Sequence, residues 1–320
     1  MDGFGSGMAD EINGTSRQST VASRRQSVTL TNNITDTALI FEGGGMRASY
    51  TSGFLNTLLE NSLYFDYAAG ISAGASNTVN YLSRDTKRAK KSFVDLVLEP
   101  EFGGWRSFIK GEGYFRAHYI YEETHYPDAA LPLDFETFKS NPARLRIGAF
   151  EMDNGRMHYF TKNDINTVHD LVKIVRSSST LPFFMQPTEF QGKTYLDGGL
   201  YSGIALDIAR EDGFKKFFIV LSRPRGFRKE PFKFPGIIKA YFRKNPHLAD
   251  TLLNSHKRYN QILDELEKLE KEGNAFLVCP EIMPVTSMET NYDKLEESYQ
   301  LGYAQGKRDL PRWKEFLKVK

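Results

Sequence analysis

The chain has a single cysteine, Cys279, in 320 residues. No intramolecular disulfide is possible, so packing has to hold the fold, and a reducing, cytoplasmic setting is the expectation. It has no apolar run near the roughly 18 residues that a membrane-spanning helix needs, and no apolar core of a secretory leader near its start. It also has almost no net charge: 42 basic and 40 acidic residues leave +2. The net charge therefore says little about partners, and any charge-driven partner has to be read from local clusters. Tryptophan is scarce, at two residues, but 40% of the chain is hydrophobic and 13% aromatic. That is enough for a sizeable core, in one large domain or two small ones.

Residues 1–34 are rich in Ser, Thr, Gly, Asn and Arg without an apolar period, and read as a disordered tail. Within it, Met8 is a candidate original start and Arg24-Arg25-Gln26-Ser27 a basic phosphorylation context. Residues 35–222 read as one domain. Short apolar strands begin at Thr37 and Tyr64, with later ones at Leu145–Phe150, Met157–Phe160 and Lys216–Leu221, and Phe190–Leu196 reads as two short strands paired around Gln191-Gly192. Helical spacing separates them, at about 47–61, 74–83, 86–98, 167–178 and 203–211. This alternation specifies an α/β class with a largely parallel sheet. Residues 100–142, rich in aromatics, Gly and Pro, read as a cap-like insertion. Residues 223–320 read as a basic, mostly helical C-terminal extension packed on that domain. It holds a helix from Leu252 to Lys271 stopped by Gly273, a strand to Cys279, and two helices at about 291–304 and 308–318. Cys279, at the end of that strand, reads as an inert core thiol.

Three glycine-rich turns carry the chemistry. The first is Gly70-Ile71-Ser72-Ala73-Gly74, between a strand and a helix. Flanking glycines permit a turn too tight for a Cβ, and the turn lifts a serine hydroxyl clear of the sheet. The amide of Ala73 would face an oxyanion formed there. The second is Gly43-Gly44-Gly45-Met46-Arg47, where backbone amides collect at the positive end of a helix. It lacks the ending of a nucleotide P-loop and the spacing of a dinucleotide fingerprint. Oxyanion stabilisation is its better use. Arg47, a cation at a helix start, opposes the dipole and needs an acidic partner or a phosphate nearby. The third is Asp197-Gly198-Gly199, which puts a carboxylate at the rim of a strand. The six histidines, at 118, 125, 158, 169, 247 and 256, avoid the late strand-to-helix loop that would supply a triad imidazole. A buried carboxylate with raised proton affinity can serve Ser72 directly.

In this order, the three turns resemble the patatin-like phospholipase family. A fourth block, from Ser177-Ser178-Ser179-Thr180-Leu181-Pro182 to Pro187, resembles that family's small-residue helix end. The likeness covers about residues 36–222, and Tyr259-Asn260 with the strand after Gly273 resembles the bacterial branch. It implies a three-layer α/β/α sandwich, a Ser72–Asp197 dyad and hydrolysis of lipid acyl esters of phospholipase A or lysophospholipase type, with no cofactor or metal. It also implies that loop amides of Gly44, Gly45 and Met46, helped by Ala73, hold the oxyanion, with Gly43 and Arg47 in the same substrate-binding loop. Two positions depart from the family pattern: Glu42 stands where Asp is common, and Leu200–Ala205 lacks a frequent proline. Two other readings stay open on these residues: a catalytically silent lipid-binding or scaffold protein, and a nucleotide binder using Gly43–Gly45.

Between 223 and 247 stand eight basic residues, opposed only by Glu230 and interleaved with Phe227, Phe232, Phe234, Tyr241 and Phe242. This composition suits peripheral contact with an anionic membrane, or an ordinary packed segment with solvated charges. Nucleic acid is not an expected partner, and nothing specifies an oligomeric state.

Overall fold

The computed structural model describes residues 30–111 and 113–320. The tail reading for residues 1–29, with its basic Arg24–Ser27 context, lies outside the described residues. Order is already present at Asn33 and Ile34, whose amides both donate to the Tyr64 carbonyl at 2.9 Å. Ile34 is buried in the core.

In chain order the first elements are β1 (Thr37–Phe41), α1 (Ala48–Glu60), β2 (Tyr67–Ile71), α2 (Ala73–Leu82) and α3 (Thr86–Phe93). The insertion holds α4 (Trp105–Ile109) and α5 (Phe135–Ser140), with a π-helical turn at His118–Glu123. Then come β3 (Arg144–Glu151), β4 (Arg156–Phe160), α6 (Val168–Ser179), β5 (Thr188–Phe190), β6 (Lys193–Asp197), α7 (Leu206–Glu211) and β7 (Lys216–Val220). The chain ends with α8 (Pro235–Tyr241), α9 (Pro246–Leu253), α10 (Ser255–Lys271), β8 (Ala275–Val278) and α11 (Tyr292–Leu317).

Five strands form a parallel centre in the order β3-β2-β1-β7-β8. β4 and the β5–β6 hairpin add antiparallel pairs at one side, so the sheet is mixed. The central strands are apolar at successive positions because both faces are covered. Leu39 and Phe41 enter one core, with residues of α1, α2, α6 and α11; Ala38 and Ile40 enter the other, with residues of α7 and α10. These are the three layers of an α/β/α sandwich, with the C-terminal helices supplying part of each outer layer.

α11 packs on α1 at a distance that only glycine allows. A Cβ at Gly302 would lie 2.1 Å from the Tyr50 carbonyl oxygen, and one at Gly53 would lie 2.3 Å from the Tyr303 nitrogen. Ser49–Ser298 and Tyr50–Gln305 hydroxyl bonds, at 2.8 and 2.7 Å, fix the register.

Three expected helix boundaries are corrected. The helix read from Leu252 is two helices, because Asn254 turns and its side-chain amide donates back to the Asp250 carbonyl of α9 at 2.9 Å. The two helices read at 291–304 and 308–318 are one, α11, which runs through Pro311. A proline inside a helix costs about 3 kcal/mol. Burial of Trp313 and Leu317 beyond it offsets that cost. The helix expected over 86–98 ends at Phe93 and continues as a short 3-10 turn. The stop at Gly273 is a left-handed residue (φ +76°) whose amide closes on Glu270, and Asn274 closes on Leu269.

Candidate functional site

Two strand ends meet on one edge of β3. β2 pairs with it up to Ile71, opposite Gly148. β6 runs the other way, with Asp197 opposite Ala149. β4 occupies the second edge along residues 147–151. β2 and β6 therefore share the first edge and arrive head to head. The residue after Ile71 is Ser72, so the two candidate side chains start from adjacent registers.

Ser72 is the turn between β2 and α2. Its backbone is at φ +57° and ψ −128°, a region side-chain-bearing residues rarely adopt. Three bonds hold it there. Its amide donates to Ser178 Oγ at 2.8 Å, Ser178 Oγ donates to the Gly148 carbonyl at 2.6 Å, and the Ser72 carbonyl accepts the Ala75 amide at 2.8 Å. The flanking glycines are required by crowding. A Cβ at Gly70 would lie 2.2 Å from the Gly74 carbonyl oxygen, and one at Gly74 would lie 2.2 Å from that of Phe41.

Ser72 Oγ donates to Asp197 Oδ2 at 2.7 Å, and Asp197 Oδ1 accepts the Gly199 amide at 2.7 Å. Asp197 is 2% exposed. Burial pushes its carboxyl up to about 6, against the opposing effects of the Gly199 and Ser72 hydrogen bonds and the nearby Lys229 charge. It is thus ionised at neutral pH yet close enough to neutrality to take up and return a proton. None of the six histidines lines the space around Ser72. Among the described residues no group of three or more His, Cys, Asp or Glu is arranged to hold a metal.

The glycine loop lies beside Ser72. A Cβ at Gly43 would press on the Ile71 carbonyl oxygen and Ser72 Cβ, at 3.0 and 3.1 Å. Gly45 has φ +56°, and a Cβ there would lie 2.4 Å from the Ser287 carbonyl oxygen. Its amides divide into two sets. Gly43 donates to the Gly203 carbonyl at 3.0 Å and Met46 to the Ser287 carbonyl at 3.1 Å. The amides of Gly44, Gly45 and Ala73 donate to no group among the described residues. Met46 is therefore a correction to the expected amide set: its N–H is taken by the segment that precedes α11. Its side chain is buried in the apolar cluster beside the site instead.

Glu42 explains the company Arg47 keeps. Its carboxylate accepts the Tyr259 hydroxyl at 2.6 Å and the Ser222 amide at 2.6 Å. Burial raises its proton affinity, with both bonds and the Arg47 charge opposing. Arg47 is pushed down to about 10, first by burial and then by the Arg223 charge, with Glu42 holding it up. Its Nε has no hydrogen-bond partner among the described residues.

Ser72 stands between two cavities. One, of about 90 Å³, is apolar, with Met46, Val79, Phe102, Phe115, Leu171 and Met185 in its wall. Phe102 and Phe115 belong to the insertion, which thereby builds the cavity rather than hanging free of it. The other, of about 370 Å³, is wider and charged, and Arg47, Arg223, Lys229 and Tyr259 line it with the glycine loop and Asp197.

Sequence reasoning did not single out Ser178, Arg223, Lys229 and Tyr259 as parts of the site. Ser178 sat within a recognisable serine run, but only the fold shows that its hydroxyl takes the Ser72 amide. Arg223 and Lys229 were visible as charge, without any sign that they turn inward.

A family model described as patatin-like phospholipase matches residues 39–210, and one for a domain of unknown function, DUF6363, matches residues 245–318. The uncharacterized protein YjjU of Escherichia coli K12 is 24% identical over 273 residues, covering 83% of this chain and 74% of its own length. Among solved structures, VipD from Legionella pneumophila aligns over 87% of this chain and 67% of its own, at 12% identity and a TM-score of 0.48. The patatin-like model alone takes in more than half of the chain, and all three glycine-rich turns lie within its span. The chain belongs to the patatin-like phospholipase family.

Proposed function

We propose that the protein is a serine hydrolase of lipid acyl esters, with Ser72 as nucleophile and Asp197 as its sole side-chain proton acceptor. The observation that carries this reading is the 2.7 Å hydrogen bond from Ser72 Oγ to a buried carboxylate oxygen, with no imidazole between them.

In acylation, Ser72 Oγ passes its proton to Asp197 Oδ2 and bonds to the ester carbonyl carbon. The carbonyl oxygen becomes an oxyanion, and the amides of Gly44, Gly45 and Ala73 are the donors left to receive it. Collapse breaks the bond to the alcohol, which leaves with the proton from Asp197. Water then gives its proton to Asp197 and attacks the acyl-serine, and Ser72 recovers its hydroxyl as the fatty acid departs. The acyl chain occupies the narrow apolar cavity and the alcohol half the wide charged one. Closeness to neutrality suits Asp197 to both roles. A silent scaffold would have no use for a strained serine pressed against a buried charge.

Contact with an anionic membrane surface belongs to the same proposal. Among the described residues, Phe232, Phe234, Ile237 and Tyr241 are exposed by 40, 71, 64 and 57%, in and beside α8. Phe232 lines the charged cavity, and Tyr241 packs on Phe183 of the same cavity wall with ring centres 4.0 Å apart. Lys233, Lys239, Arg243 and Lys244 are exposed and pair with no carboxylate among the described residues. Exposed apolar side chains interleaved with cations that pair with no carboxylate fit a lipid headgroup layer. Among the described residues no helix is long and apolar enough to cross a membrane.

On a soluble p-nitrophenyl ester, Ser72→Ala and Asp197→Asn each lower kcat/KM by at least about 10³-fold. Wild-type kcat/KM falls on the acid side with a midpoint near pH 6, because a protonated Asp197 cannot accept. Activity surviving in Ser72→Ala overturns the assignment.

The same carboxylate makes a stability prediction. Its folded-state proton affinity lies above the ordinary value of 3.8, so folding loses stability as pH rises from about 4 through about 6. Asp197→Asn is therefore more stable than wild type at pH 7, by on the order of 1–3 kcal/mol. The difference vanishes below about pH 4. Thermal unfolding of both proteins across pH measures it, and an unchanged or lower Tm at pH 7 contradicts it.

Cosedimentation tests the membrane contact. Lys239→Glu with Arg243→Glu reduces binding to vesicles of phosphatidylcholine and phosphatidylglycerol by at least about ten-fold, at roughly 1 kcal/mol for each cation. Binding equal to wild type removes this face from the proposal.

A further inference from the structure

The charged cavity holds an electrostatic arrangement that the ester chemistry alone does not need. Arg47, Arg223 and Lys229 converge on its wall from separate segments, the glycine loop and the chain that follows β7. The Arg223 charge disfavours that of Arg47, and both Arg47 and Lys229 lose hydration by burial. Like charges gathered this way cost free energy unless something answers them.

The carboxylates present do not supply a full answer. Glu42 is already engaged by the Tyr259 hydroxyl and the Ser222 amide. Asp197 is bonded to Ser72 and the Gly199 amide. The neighbouring cations of the same stretch contrast with these three. Arg225 binds both oxygens of Glu270, at 2.6 and 3.0 Å, and Arg228 binds Asp264 and Glu267, at 2.9 and 3.0 Å. Among the described residues Arg47, Arg223 and Lys229 form no such ion pair. The two inward cations of this stretch are nevertheless held. Lys229 is clamped by Asn260, whose side chain accepts its amide at 2.8 Å and donates to its carbonyl at 3.1 Å, and Lys229 Nζ donates to Ser255 Oγ at 3.1 Å. The Arg223 guanidinium lies 4.4 Å from the Phe227 ring centre.

We infer that Arg47, Arg223 and Lys229 form an anion subsite that receives the phosphate of the substrate's alcohol half, selecting acyl lipids whose headgroup is net negative. Two guanidinium forks and an ammonium match the donor demand of a phosphate. The cavity they line also contains Ser72 and the glycine loop, so a phosphate held there lies on the leaving-alcohol side of the attacked ester. The same cations repel the ammonium of a zwitterionic choline headgroup. This assignment rests on the hydrolase reading for its catalytic consequence, but its binding consequence does not.

The test compares a phosphatidate and a phosphatidylcholine with identical short acyl chains, both below their micelle-forming concentrations so that α8 sees no interface. Wild type favours the phosphatidate in kcat/KM by about ten-fold or more, the scale of one charge-assisted hydrogen bond. Arg223→Gln and Lys229→Gln each shrink that ratio several-fold, mainly by raising KM for the phosphatidate. Lys229→Glu shifts it toward the choline ester. Arg225→Gln, whose guanidinium is bound to Glu270, leaves the ratio as in wild type. A wild-type ratio near one, or a ratio indifferent to Arg223 and Lys229, overturns the subsite.

Calorimetry on Ser72→Ala separates the two levels. Decyl phosphate binding more tightly than decylphosphocholine supports the subsite even if no ester is ever cleaved. Equal binding of the two amphiphiles overturns it even if wild type is an active hydrolase. Inorganic phosphate binding more tightly than decyl phosphate would assign the cations to a free anion and overturn the lipid assignment.

Discussion

The site depends on two strand ends colliding on a single edge. β2 and β6 enter the same side of β3 from opposite directions and stop at Gly148 and Ala149. Neither strand can extend without displacing the other, so each must turn out of the sheet there. The turn after β2 contains Ser72 and the turn that ends β6 contains Asp197. Gly148 permits the junction because it has no side chain. A Cβ there would lie 2.7 Å from the Tyr159 ring and 3.0 Å from Ile71, and a Cβ at Gly198 would lie 2.8 Å from the Gly148 carbonyl oxygen. The same carbonyl accepts the Ser178 hydroxyl that holds the Ser72 amide. One backbone position thus governs the serine turn, the aspartate turn and the bond that braces them.

Such a junction stores cost in several forms. Ser72 occupies a sparsely populated backbone region, Asp197 is a buried charge, and three cations share a wall with little compensation. Surrounding structure over-determines each feature, as strained sites require. The C-terminal third is part of that surrounding. α11 crosses α1 at glycine-to-backbone distance, β8 extends the sheet, and α10 supplies Tyr259 to Glu42 and Asn260 to Lys229. The segment before α11 reaches over the glycine loop, where the Ser287 carbonyl takes the Met46 amide. The region matched by the domain of unknown function thus contributes to one wall of the site.

Much of this was legible in the sequence wherever glycine is dictated by contact. Gly43, Gly45, Gly70, Gly74 and Gly198 mark places where a backbone comes too close for a Cβ, and such approaches are what a turn at a strand end produces. The alternation of short apolar strands with helical periods gave the layer architecture for the same local reason. What the sequence concealed was set by distant partners. The stretch between 304 and 308 reads as a break, but α11 runs through it and through Pro311, with Trp313 buried beyond. Asn254 reads as helix interior but bonds backward and divides α9 from α10. Met46 reads as an amide donor until Ser287 arrives from 241 residues away in the chain. Arg223 and Arg225 look alike in sequence, and only the position of Glu270 on α10 separates the one that is neutralised from the one that is not.

The central claim is that Ser72 is activated by direct contact with Asp197 and by no other side chain. Labelling with a fluorophosphonate probe, mapped to a peptide by mass spectrometry, tests it most directly. The account predicts a single adduct on Ser72 whose formation slows sharply once Asp197 is replaced by Asn, and stays at the wild-type rate when each of the six histidines is replaced by Gln. An adduct on another serine, or Ser72 labelling that ignores Asp197 but fails with a histidine variant, contradicts it.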